Sequence, residues 1–410
     1  MVPLTGRWRE GTTAPVWFGL DSCRFAWSKY SCAAQRHPRA YELASRMWEP
    51  NGCTLPRLRA AADELVHLLG VGSRPTLLWI GDSVLRQFWL AALCATERDL
   101  NASSPAPAWD SEWAHRINAA RRTAGLAALQ ADGKVNCLFE NRVGLGGCVE
   151  AGPHSQFGSA CFGLRGGGQL CHDREMMWAR RDNHAISEAS LRHAALGVRL
   201  DRAIVVTSIA IHVALNSNRS SNLAWFDAEV EAMRRRIIRW VVEHRALVVY
   251  REASPQHFSC ASVRSEAVDA CEGHDEAPGA FFSSAEGGGG SPAELTRIKH
   301  ALATDAAARD AALARSRAES ARRAALPCQA ELHPATPPPF TVLERQRLLP
   351  LTRLHPSAVR YIPTWEMVRD QGGAHPGRSD CTHWCQPGMP EEWTRMLAVA
   401  VRSLLAPHET

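Results

Sequence analysis

The 410-residue chain is 45% hydrophobic and 22% charged, which is enough apolar material for a packed core and excludes a disordered or fibrous protein. Its formal net charge of +5 is small for the length, and the 47 Lys and Arg are dispersed instead of gathered in blocks, which argues against a nucleic-acid partner. Thirteen Cys, mostly in loop-like stretches that also carry Gly, Ser and Pro, point to a disulfide framework and an oxidising, secretory compartment.

Residues 1 to 20 have neither the cationic start nor the continuous apolar core of a signal peptide, and no run of eighteen apolar residues occurs. This conflicts with the cysteine reading unless an N-terminal anchor is missing from the chain. Residues 6 to 56 are rich in Trp, Cys and Pro without periodicity, which predicts an irregular cap held by cross-links and aromatic packing. A helix is expected at Leu58 to Leu69, so that residues 1–72 form a cap segment ahead of a main domain over 73–410.

Pro75 to Gly81 is a short apolar run ending at a glycine, the pattern of a buried parallel strand, and Val84 to Cys94 is a helix. Asp82 and Ser83 therefore sit on a strand-to-helix turn. Asn101-Ala102-Ser103 and Asn218-Arg219-Ser220 are glycosylation sequons. Between Gly144 and Cys171 glycines and cysteines alternate without apolar periodicity, which predicts a long loop with a lid or substrate-binding role.

A second strand is expected at Ala203 to Ile211, then a helix over Asp227 to His244 with Val230, Met233, Ile237, Trp240 and Val241 on one face, then a strand at Ala246 to Tyr250. Strand, helix and strand in this order imply a right-handed crossover and a sheet covered on both faces. The expected fold is an α/β three-layer sandwich with a central parallel sheet. A low-complexity insertion occupies about 283–326, where a Gly run leads into an Ala/Arg-rich stretch.

A serine hydroxyl needs a histidine to take its proton and usually an acid to hold that histidine's tautomer. Gly81-Asp82-Ser83, at the carboxyl end of a strand and the amino end of a helix, is where α/β folds place such chemistry. The tripeptide alone also reads as an ordinary helix N-cap. Asp380 and His383, three apart in Asp380-Cys381-Thr382-His383-Trp384-Cys385, can face one pocket and supply the partners. A zinc site from Cys381, His383, Cys385 and His375 is the rival, but the spacing fits no common zinc pattern, and no metal is expected. Arg86 and Gln87, one helical turn beyond Ser83, are candidate side-chain donors to an oxyanion, beside backbone N–H groups of the turn.

Five ordered blocks then carry a resemblance: Cys23-Arg-Phe with Cys32; Arg46-Met-Trp-Glu-Pro-Asn-Gly-Cys53-Thr-Leu-Pro-Arg57; Trp79-Ile-Gly-Asp-Ser-Val-Leu-Arg86-Gln-Phe-Trp89; Arg251-Glu-Ala-Ser-Pro255-Gln-His257-Phe258; and His375-Pro-Gly377 with Asp380-Cys-Thr-His383-Trp-Cys-Gln-Pro-Gly388-Met-Pro-Glu-Glu-Trp393. Together they resemble the trichome-birefringence-like family, plant polysaccharide O-acetyltransferases with the PC-esterase, SGNH/GDSL-like fold.

The resemblance implies a triad of Ser83, Asp380 and His383, a Golgi or secretory luminal location with an N-terminal anchor, and a polysaccharide acceptor. No bound cofactor is implied; an acetyl donor enters as co-substrate. It also implies disulfides Cys23 to Cys94, Cys32 to Cys385, and Cys381 to Cys260 or Cys271, leaving Cys53 without its usual partner and Cys137, Cys148, Cys161, Cys171 and Cys328 without counterparts. The chain departs from the family at Thr207-Ser208-Ile209-Ala210-Ile211-His212, where Ser208 stands in place of an Asn and His212 is retained. Gly81, Asp82, Ser208 and His212 are thus further oxyanion or substrate candidates, whereas His257 is expected to be structural. Two other functions compete: a carbohydrate acetyl esterase, if water replaces the sugar hydroxyl, and a polysaccharide-binding protein that keeps the fold without the chemistry.

Overall fold

The computed structural model describes residues 5–10, 23, 25, 30–33, 36–37, 39–101, 160–174, 198–209, 219–254, 339–369, 371, 374–376 and 383–406. Its centre is a six-stranded sheet in the order β4-β5-β3-β6-β7-β8, made of β3 (Thr76–Gly81), β4 (Ala160–Gly163), β5 (Gln169–Arg174), β6 (Ala203–Thr207), β7 (Leu247–Arg251) and β8 (Val359–Ile362). All neighbours pair in parallel except β4, which runs antiparallel to β5 at one edge. Every residue of β3 and β6 is buried, as their uninterrupted apolar sequences require of strands covered on both faces.

The two faces hold separate cores. Leu77, Trp79, Ile204 and Val249 pack with helices α2 (Leu58–Val71), α3 (Ser83–Ala95) and α8 (Met389–Leu405), which lie on one side. Leu78, Ile80, Val205 and Val248 pack with α4 (Arg219–Val242) and α5 (Pro339–Leu348) on the other. The result is a parallel-rich sheet between helical layers. Two short helices, α6 (Leu351–Leu354) and α7 (Trp365–Val368), flank β8.

The cap is more regular than its composition predicts. β1 (Gly6–Arg9) and β2 (Met47–Pro50) pair antiparallel with Trp8 opposite Trp48, and α1 (Ala40–Ser45) precedes β2. Cross-strand tryptophan packing, with ring centroids 5.6 Å apart, supplies what periodicity does not show in a four-residue strand. Phe25, Tyr30, Leu43, Trp48, Leu65 and Leu69 belong to the same core cluster as Leu77 and Trp79, so residues before 73 help build the main core.

The expected loop from Gly144 to Cys171 is corrected in its described part, where β4 and β5 form a pair and β5 enters the sheet beside β3. The polar residues Gln169 and His172 hid this strand. Gln169 Nε2 donates to Thr76 Oγ1 at 2.9 Å, and His172 is buried against Trp89 with rings 5.3 Å apart. The strand expected to reach Ile211 ends at Thr207. The insertion at about 283–326 lies outside the described residues.

Candidate active site

The turn that carries Ser83 is built from three adjacent residues. A Cβ on Gly81 would lie 2.7 Å from Leu85 Cδ2 and 3.1 Å from its Cβ, so a missing side chain lets α3 fold closely onto the end of β3. Asp82 caps α3: its Oδ1 accepts from Val84 N at 3.0 Å and from Leu85 N at 3.2 Å, satisfying two amides that the first helical turn leaves open. Ser83 is the first helical residue and is only half-buried, and its Oγ lies 2.8 Å from Nε2 of His383, 300 residues away in sequence.

What holds His383 there is visible from α3. Ser83, Arg86 and Gln87 stand at i, i+3 and i+4, on one face of the helix. Gln87, fully buried, grips the residue after the histidine at both backbone groups: Trp384 N donates to Gln87 Oε1 at 3.0 Å, and Gln87 Nε2 donates to Trp384 O. Gln386 Nε2 donates to Gln87 O at 2.8 Å, and the Cys32–Cys385 disulfide ties the same loop to the cap. Gln386 N donates to Tyr30 O at 2.9 Å. His375 stacks on Trp384 with rings 4.4 Å apart; its Nδ1 meets the carbonyl O of His383, an acceptor, so that nitrogen carries the hydrogen.

A buried cation lies behind the turn. Arg251, at the end of β7, donates from Nη1 to Ser254 Oγ at 2.6 Å and from Nη2 to Ser208 Oγ at 3.3 Å, with its guanidinium 4.5 Å from the Trp393 ring centroid. Burial lowers its pKa, and the Asp82 carboxylate opposes that shift. Because arginine only donates, both serine hydroxyls accept from it and keep their own hydrogens for another acceptor. Ser208 follows Thr207, which pairs with Ile80, so it stands beside Gly81 at the carboxyl end of the sheet.

Beneath the same loop, Ile209 N donates to Tyr250 Oη at 3.2 Å and Tyr250 Oη donates to Glu344 at 2.6 Å. Burial and the neighbouring Glu252 charge push Glu344 up to about 8. Glu252 in turn accepts from Arg345, Tyr361, and the backbone N–H groups of Thr364 and Trp365. These partners satisfy a carboxylate that burial alone would strongly disfavour.

The chain is similar to xylan O-acetyltransferases. It is 23% identical over 432 aligned positions to Xylan O-acetyltransferase 14 of Oryza sativa subsp. japonica, covering 96% of this chain and 76% of that protein. Xylan O-acetyltransferases 12 and 13 of the same plant are each 31% identical over 94 residues, 22% of this chain and 17% of theirs. No protein-family model matches the chain.

Of the residues singled out in the sequence, Gly81, Asp82, Ser83 and His383 come together at the carboxyl end of β3, with Ser208 on the adjoining strand end. Arg86 and Gln87 bond to the cap and the histidine loop: Arg86 Nη2 donates to Tyr30 Oη at 2.9 Å, and Gln87 holds Trp384. Asp380, Cys381, Cys260, Cys271, His212 and His257 lie outside the described residues. Cys23–Cys94 and Cys32–Cys385 are bonded, and a Cys161–Cys171 bond crosses β4 and β5, while Cys53 is an exposed thiol. With Cys385 in a disulfide and His383 facing Ser83, the zinc alternative loses two of its four ligands. The nearby grouping of Cys32, His37 and Cys385 likewise contains two disulfide sulfurs in place of thiolates.

Tyr30, buried with its ring tilted against that of His383, carries no motif of its own in the sequence; its one signal is a position two residues before a cysteine paired with Cys385. A 420 Å³ cavity lined by Asp63, His67, Arg98, Asp99 and Gly166 sits at the amino ends of the strands, at the opposite end of the sheet from Ser83. Among the described residues, no helix is long and apolar enough to cross a membrane.

Proposed function

We propose that the chain is a polysaccharide O-acetyltransferase of the SGNH-like kind, acting in the lumen of the Golgi or secretory pathway through an acetyl-serine intermediate on Ser83. The 2.8 Å approach of His383 Nε2 to Ser83 Oγ at the amino end of α3 is the observation that carries the proposal. The similarity to plant proteins named xylan O-acetyltransferases supports the substrate class, and the disulfides support the compartment.

His383 Nε2 takes the proton of Ser83 as Oγ attacks the carbonyl carbon of the acetyl donor. The tetrahedral oxyanion is met by the Ser83 N–H at the positive end of α3 and by the Ser208 hydroxyl, whose oxygen accepts from Arg251 and whose hydrogen therefore points elsewhere. Collapse breaks the bond to the donor's leaving group, which receives the proton from the imidazolium. A sugar hydroxyl then loses its proton to His383 and attacks the acetyl-serine, and departure of Ser83 Oγ, reprotonated by His383, completes the transfer. Asp380, three residues before His383, is assigned to the imidazole's other nitrogen by the family resemblance. Arg86 and Gln87 position the histidine loop and are not oxyanion donors in this mechanism.

The test is acetyl release from p-nitrophenyl acetate, with and without xylan or another glycan, by the purified chain and its Ser83→Ala and His383→Ala variants. Transfer of acetyl to glycan that either variant loses supports the proposal. Serine-dependent hydrolysis without transfer identifies an esterase, and variants as active as the parent overturn the assignment of the couple.

A further inference from the structure

We infer that Tyr30, held by Arg86, is a positioning residue for the His383 imidazole, so that the cap forms one wall of the acyl-transfer site; this rests on the Ser83–His383 reading above. The Tyr30 ring lies 4.8 Å from the His383 ring, inclined by 32°, and is fully buried. Its hydroxyl oxygen accepts from Arg86 Nη2 at 2.9 Å. Arg86 projects from α3 one turn after Ser83, so one rigid helix carries both the nucleophile and the arm that sets the ring against the base.

The contacts of the following residues act on the histidine's backbone, whereas Tyr30 lies against its ring. Gln87 holds the backbone of Trp384, the Cys32–Cys385 bond holds the next residue, and Gln386 N donates to Tyr30 O. None of these contacts restricts rotation of the imidazole about its own side-chain torsions. A flat aromatic face packed along the ring does, because swinging Nε2 away from Ser83 would drive the imidazole into Tyr30. A displacement of about 1 Å at a reacting group can cost about 100-fold in rate, so loss of this face acts on turnover and not on substrate binding.

The experiment compares Tyr30→Leu, Tyr30→Met and Tyr30→Phe in the full chain, with Ser83→Ala as the control for the catalytic couple. Tyr30→Leu is expected to lower kcat by about 10- to 100-fold with KM changed by less than about twofold. Tyr30→Phe keeps the aromatic face and is expected to recover most of kcat despite a lower melting temperature, because Arg86 loses its acceptor. Tyr30→Met fills much of the same volume without a flat face and decides the question if the leucine variant does not fold. A folded leucine or methionine variant with parental kcat, or a phenylalanine variant as slow as either, overturns the inference. If Ser83→Ala itself retains activity, the underlying catalytic reading fails instead.

Discussion

Replacing Gln87 by leucine removes the clamp on the histidine loop without touching Ser83 or His383. Its carboxamide makes two hydrogen bonds to Trp384, one in each direction, and both sets of atoms are buried. Leucine of similar size leaves the Trp384 N–H and C=O without those partners, at about 1–3 kcal/mol for each orphaned group, or about 2–6 kcal/mol together. A chain this large shifts its melting temperature by about 2 °C per kcal/mol, so a fall of several degrees is expected by calorimetry. Because His383 immediately precedes Trp384, loosening there also lets Nε2 drift from Ser83 Oγ, and kcat for p-nitrophenyl acetate should fall by about tenfold or more with KM nearly unchanged. A Gln87→Leu protein with parental melting temperature and parental kcat would show that the clamp holds nothing, and the positioning argument would be refuted.

Three further outcomes follow from the packing and electrostatics. Cys32→Ser removes a cross-link between residues 353 apart, worth about 6 kcal/mol at most in the chain-entropy account, so without reductant the variant should melt well below the parent, and reductant, which also breaks Cys23–Cys94 and Cys161–Cys171 in both, should narrow that gap. Burial holds the Glu391 carboxyl up at about 8; since that lies above the ordinary value of 4.5, its contribution to stability is full at acid pH and declines as pH rises toward 8. Melting temperature should accordingly fall between about pH 5 and pH 8, and Glu391→Gln, which can still accept from Gly388 N, should flatten that slope in part; parallel profiles would refute the assignment. Gly81→Ala drives a Cβ into Leu85 and should cost about 1–3 kcal/mol, a penalty that largely disappears in the Leu85→Ala background; additive losses in urea unfolding would count against the close approach.

The strand-to-helix turn that presents Ser83 was legible because its signals are local. An apolar run buried on both faces, a glycine and a capping aspartate all act within ten residues. The same holds for β6, α4 and β7, whose helical and extended patterns do not depend on distant partners. The family resemblance extended that range to the Cys23–Cys94 and Cys32–Cys385 bonds. By contrast β5 reads as loop, since Gln169 and His172 are polar residues whose neighbours Thr76 and Trp89 come from elsewhere in the chain, and nothing in the strand's own sequence announces them. The four-residue strands β1 and β8 are too short for a period-two pattern to emerge.

By itself, then, the sequence determined where a nucleophile could stand and which short blocks would accompany it, because strand burial, helix capping and glycine geometry are decided by residues close along the chain. Only the tertiary structure decided what surrounds Ser83. His383 meets Ser83 across 300 residues, Tyr30 meets His383 beside a disulfide of still wider span, and Arg251 reaches Ser208 from the neighbouring strand of the sheet. Such contacts are fixed by the joint packing of helices on one sheet, a property of the whole core that no local stretch of sequence encodes.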